Sequence, residues 1–74
     1  MEVRIVTTRD ALQFARVYNQ KLKRRQHMFH YMGKKVYIME ARSMLEHLID
    51  QKALVGRFTD EGQFTSALRQ LQLF

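Results

Sequence analysis

Ala11, Phe14, Ala15, Tyr18 and Leu22 recur at three- and four-residue spacing. That rhythm paints a single apolar stripe down a helix, and the rest of the chain has to pack on it. The chain has 74 residues and no cysteine, so neither a disulfide framework nor thiol chemistry is at hand. One small core must suffice. A domain of this length buries only about 60% of the surface its unfolded chain exposes, which leaves a thin margin of stability. Hydrophobic content of 46% separates it from a disordered tail.

The stripe predicts a helix from about Arg9 to Arg24, with Thr8 as its cap. Val3–Val6 ahead of it reads as a short strand. Lys21, Lys23, Arg24 and Arg25 close the helix, where cations complement its dipole. Residues 27–31 and 35–39 then read as two strands joined at Met32-Gly33-Lys34, because Gly33 can take the left-handed geometry of a tight turn. A second helix is expected from Ser43 to near Gln51, with Ser43 and Glu46 at capping-box spacing and Met44, Leu45, Leu48 and Ile49 on its apolar side.

Leu54–Phe58 reads as a further strand. Thr59-Asp60-Glu61-Gly62 turns into a last helix whose stripe is Phe64, Ala67, Leu68 and Leu71, with Phe74 as a final contact. The expected order is β-α-β-β-α-β-α in one domain over residues 1–74, without proline or linker composition. The fold class is α/β, an α+β two-layer sandwich with helices on one face of a small, mostly antiparallel sheet. Its other face is left partly free for Tyr31, Tyr37 or the hairpin histidines.

The element order resembles that of the HPr family, the small phosphocarrier proteins of the bacterial phosphotransferase system. Glu2-Val3-Arg4-Ile5 is similar to the family's first strand, Gly33-Lys34-Lys35-Val36 to its central hairpin turn, and Ala41-Arg42-Ser43-Met44 to the stretch opening its second helix. The last helix, after Asp60-Glu61, falls where the family has one. The family carries a phosphoryl group on the histidine of a Gly-Leu-His-Ala-Arg-Pro signature. Here the region reads Thr8-Arg9-Asp10-Ala11-Leu12-Gln13, with Asp10 near the histidine position. The resemblance therefore implies a degenerate, HPr-like domain without the carrier reaction, and a protein-facing surface near the starts of its first two helices. Ser43 falls near the family's regulatory serine, but reaching that match needs an insertion, and no phosphorylation is expected from it.

Charge is unevenly placed. Residues 1–35 hold nine Lys or Arg against Glu2 and Asp10, a net +7, whereas residues 36–74 hold four against five acids, a net −1. A basic half gathers a negative partner without naming it. No other chemistry competes with this feature. His27 and His30, three apart in an extended strand, point to opposite faces. His47 lies on another element, so no metal or cofactor site is expected. Ser43 and Ser66 have no legible base, and Asp10, Glu40, Glu46, Asp50, Asp60 and Glu61 are scattered. No Gly-rich phosphate loop is present. The expectation is no catalytic residue and no enzyme. With no apolar run long enough for a bilayer and no signal-peptide core after Met1, the chain reads as soluble and cytoplasmic.

The residues expected to dock an acidic protein partner are Arg9, Arg16, Lys21, Lys23, Arg24 and Arg25, with Met44 and Leu45 as apolar contacts. The alternative is RNA or single-stranded DNA binding, with Lys23, Arg24, Arg25, Lys34 and Lys35 on phosphates and Tyr31 and Tyr37 stacking on bases.

Overall fold

The computed structural model describes residues 7–66. Their elements are α1 (Thr8–Lys23), β1 (Met28–Tyr31), β2 (Lys34–Tyr37), α2 (Ile38–Asp50), β3 (Gly56–Phe58) and β4 (Phe64–Ser66). Together they form a small two-layer α/β domain, two helices packed against antiparallel strands. Among the described residues the strands make two separate hairpins, β1 with β2 and β3 with β4, rather than one continuous sheet. The strand expected at Val3–Val6 lies outside the described residues.

Helix α1 begins one residue before the sequence suggests. Thr7 caps it, its hydroxyl accepting from the Asp10 amide at 3.1 Å while the Asp10 carboxylate accepts from the Thr7 amide at 3.3 Å. This reciprocal pair satisfies orphan donors of the first turn. Ala11, Phe14, Ala15 and Tyr18 are buried as the stripe requires. At the other end the Gln26 and Arg25 amides bond back to the carbonyls of Lys21 and Leu22, at 3.0 and 2.9 Å. That is a Schellman ending, with Arg25 in the left-handed region at φ 59°.

The first hairpin is tighter than expected. Only Met32 and Gly33 join its strands, both with positive φ, as a type I′ turn demands. Its register sets Phe29 opposite Val36 and Tyr31 opposite Lys34. Phe29 and Val36 are buried, and the Phe14 ring lies 6.0 Å from that of Phe29 and 5.0 Å edge-on to that of Tyr31.

Helix α2 corrects the sequence reading. It starts at Ile38, not Ser43, because the apolar period Ala41, Leu45, Leu48 begins earlier and Glu40 accepts the Tyr37 amide at 3.2 Å. Residues 38 and 39, expected as strand, are its first turn. Ser43 is an exposed residue within the helix.

The last helix is also corrected, since its first residues form β4. Phe58 pairs with Phe64, and Asp60 and Glu61 sit in the connecting turn instead of at a helix start. Gly62, at φ 88°, helps close that turn. What decides the outcome is Asn19. Its side-chain amide donates to the Phe64 carbonyl and accepts from the Phe64 amide, both at 2.8 Å, as a neighbouring strand would. Tyr18 adds a 2.6 Å bond from its hydroxyl to the Gly62 carbonyl. Residues 67–71 of the expected helix lie outside the described residues.

Candidate functional site

Helix α1 sorts its cations onto two flanks. Arg9, Arg16 and Lys23 are seven residues apart, so they fall within about 40° of one another around the helix. All three are exposed, as is Arg24 at the helix cap. Lys21 lies about 140° around the helix from Arg16. It faces the first hairpin, half-buried, and with Arg25, His27, Met28 and His30 lines an open groove of about 720 Å³. Of the six expected cations, three therefore form a row and two line a groove, with Arg24 at the helix cap in neither, so they are not one patch.

The groove runs onto the outer face of the first hairpin. Pairing sets Met28 opposite Tyr37 and His30 opposite Lys35, on the face turned away from the buried pair Phe29 and Val36. Tyr37 is 47% exposed. The Lys35 ammonium stands 5.2 Å from the centre of its ring, within cation–π range. His27 and His30, expected on opposite faces, line the same groove because His27 precedes the strand and escapes its alternation.

Tyr31 does not belong to this surface. It packs edge-on against Phe14, and burial first, then the nearby Asp10 charge, hold its hydroxyl pKa above the usual value. Lys34, its partner across the pair, stays exposed beside the turn.

Leu45 is a further correction. It is fully buried, so it cannot contact a partner; the early start of α2 turns it into the core. Met44 is half-buried and lines a different groove of about 520 Å³ with Met39, Ser43 and His47. Around α2 it lies about 160° from Arg42. Arg42 is on the flank facing Tyr18 of α1. Its guanidinium rests 4.8 Å from the Phe58 ring centre and 3.7 Å from the Glu46 carboxylate. Burial raises the Tyr18 hydroxyl pKa, Arg42 opposes that rise and Glu46 reinforces it. Met44 is thus on the far side of α2 from the α1 cations.

Among the described residues no three of His, Asp or Glu converge as metal ligands, and no helix is long and apolar enough to cross a membrane. Comparison with protein-family models, curated proteins and solved structures finds no match to this chain.

Sequence reasoning missed the roles of Asn19 and Met28. Asn19 carried a signal: it follows Ala11 and Ala15 at four-residue spacing, so it sits on the core side of α1. Met28 carried none until the pairing register fixed which hairpin face was open. The surface as built offers cations, imidazole donors and one exposed aromatic ring, which suits the recognition of an anion.

Proposed function

We propose that this protein is a non-catalytic binding or regulatory module that docks an acidic protein surface through the outer row of α1. One observation carries the reading. Arg9, Arg16 and Lys23 form an exposed basic row, and the only ion pair between described residues is Arg42 with Glu46. Charges left free in this way speed encounter with an acidic partner more than they hold it. The hold requires an apolar anchor. Val55, 49% exposed, is the candidate, since it lies just beyond Ala53, whose carbonyl receives the Thr8 hydroxyl at the start of α1. The resemblance to the HPr family adds the expectation of a protein-facing surface. The first turn of α1, Thr8-Arg9-Asp10, offers no imidazole to carry a phosphoryl group.

The test compares wild type with the charge-reversed Arg9→Glu, Arg16→Glu, Lys23→Glu variant. Each is used to capture partners from nuclease-treated cell extract at about 0.15 M salt, where exposed charges act over about 8 Å. Wild type is expected to retain an acidic protein at fixed stoichiometry, and the variant to lose it at least tenfold. Equal capture by both proteins, or retention of nothing by wild type, overturns the reading.

A further inference from the structure

We propose that the groove between the end of α1 and the outer face of the β1–β2 hairpin binds single-stranded nucleic acid. Tyr37 would stack on a base, and Lys21, Arg25 and Lys35 would contact phosphates. This site uses the flank of α1 away from the Arg9 row, so it stands or falls separately from a protein partner.

Three observations converge. First, the groove of about 720 Å³ joins Lys21 and Arg25 to His27 and His30, and no acidic residue is among those lining it. Second, the pairing Met28↔Tyr37 and His30↔Lys35 puts an apolar thioether, an aromatic ring, an imidazole and an ammonium on one small face. Third, the aromatic of that face is open: Tyr37 is 47% exposed, with Lys35 beside its ring. Glu40, the acid closest to it in sequence, is turned to accept the Tyr37 amide.

Cations without rings would bind any polyanion. The exposed ring is what selects, because a flat aromatic beside a basic track stacks on unpaired bases, whatever their sequence. In a duplex the bases are stacked on each other and offer no such face, so the ligand is single-stranded. The cation on the Tyr37 ring is compatible with this, since Lys35 can move to a phosphate as a base takes its place. Strands of four residues span about 13 Å, which limits the site to a few nucleotides.

The test is fluorescence anisotropy with labelled oligo(U) and oligo(dT) of about 12 nucleotides, at about 50 and about 150 mM salt. A duplex and polyglutamate serve as competitors. Wild type is expected to bind one or both single strands and to ignore polyglutamate. Tyr37→Leu should weaken binding by about tenfold, the loss of one stacking contact, while Tyr37→Phe should keep it. Lys21→Ala with Arg25→Ala should lower the slope of log affinity against log salt by about 1.4, for two lost phosphate contacts on a single strand. Arg9→Ala with Arg16→Ala should leave affinity within about twofold of wild type, as befits residues outside the site.

Matched melting curves establish that each variant is folded; should Tyr37→Leu unfold, Tyr37→Ser takes its place as the variant that removes the ring. Three results overturn the proposal. One is no binding at the lower salt. Another is binding lost in the Arg9 and Arg16 variant but untouched by Tyr37→Leu. The third is displacement by polyglutamate as readily as by an unlabelled strand, which would make the groove a site for acidic protein. Because the Arg9 row is tested on its own variant, failure here leaves the docking reading intact, and the reverse also holds.

Discussion

Arg25 and Lys52 hold left-handed backbone, at φ 59° and 64°, each just past the end of a helix. Both helices end in the same way. After α2 the Ala53 and Lys52 amides return to the carbonyls of Leu48 and Ile49, at 2.9 and 3.0 Å. Glycine commonly fills this position because a Cβ there crowds the following carbonyl. Lys52 is exposed and has no role in either proposed surface. Replacing it with glycine should therefore stabilise the fold by about 0.5–1 kcal/mol, the relief of strain less glycine's extra chain entropy. In a domain of this size that raises Tm by roughly 2–8 °C, measurable by circular dichroism. A lower Tm would mean that the Lys52 side chain holds something its exposure does not show. Arg25 carries the same backbone strain, but its side chain lines the groove. On the proposed reading glycine there gains stability and forfeits a phosphate contact.

At the scale of elements, Asn19 of α1 clamps the edge of the second hairpin, beside the Tyr18 bond to Gly62. Asn19 gives the Phe64 amide and carbonyl the two bonds a third strand would supply. Asn19→Leu keeps the number of side-chain heavy atoms and their branching and removes both bonds, leaving two buried backbone groups without partners. The cost should be about 2–4 kcal/mol, at about 1–3 kcal/mol for each unsatisfied group with partial recovery by water. Hydrogen exchange at Phe64 reads it directly: protection should fall there far more than at Phe29 or Val36. Equal losses in both hairpins would show that Asn19 is not a local clamp.

The same clamp explains where the sequence could not be read. Helix α1 was legible because five residues hold one period, and the first hairpin because Gly33 punctuates it. The start of α2 was hidden by Ser43 and Glu46, whose spacing imitates a cap inside the helix, while the true N-terminal contact uses Glu40 and a backbone amide. The β4 segment was hidden because Phe64 fits the helical stripe expected over residues 67–71, whereas its pairing with Phe58 and the clamp from Asn19, 45 residues away, make it a strand. Of the candidate site, the cations were legible as composition. Their division into a row and a groove was not, since it depends on the helix phase and on a strand register that one sequence does not set.

Across the whole molecule, α1 is the element on which the others converge. Phe14 meets Phe29 and Tyr31 of the first hairpin, Tyr18 meets Phe58 and Gly62 of the second, and α2 packs alongside. Among the described residues the two hairpins share no sheet, and each packs on α1. Such an arrangement makes stability collective even where binding is local. Marginal stability of roughly 0.05–0.15 kcal/mol per residue gives this chain about 4–11 kcal/mol in all. Phe14 is fully buried at the centre of the core. Phe14→Ala should cost about 3–5 kcal/mol through lost burial and the cavity left behind, a large share of that total. Urea melts should show one transition at a much lower midpoint. Exchange protection should fall together in β1, β2 and β4, in contrast to the confined loss from Asn19→Leu. If Phe14→Ala loosened the first hairpin alone, the two halves would be separate units, and a ligand in the groove would have no route to the rest of the fold. If protection falls everywhere at once, a strand bound at Tyr37 stabilises the whole domain by mass action, and raised protection at Phe64 becomes a reporter of binding on the opposite hairpin.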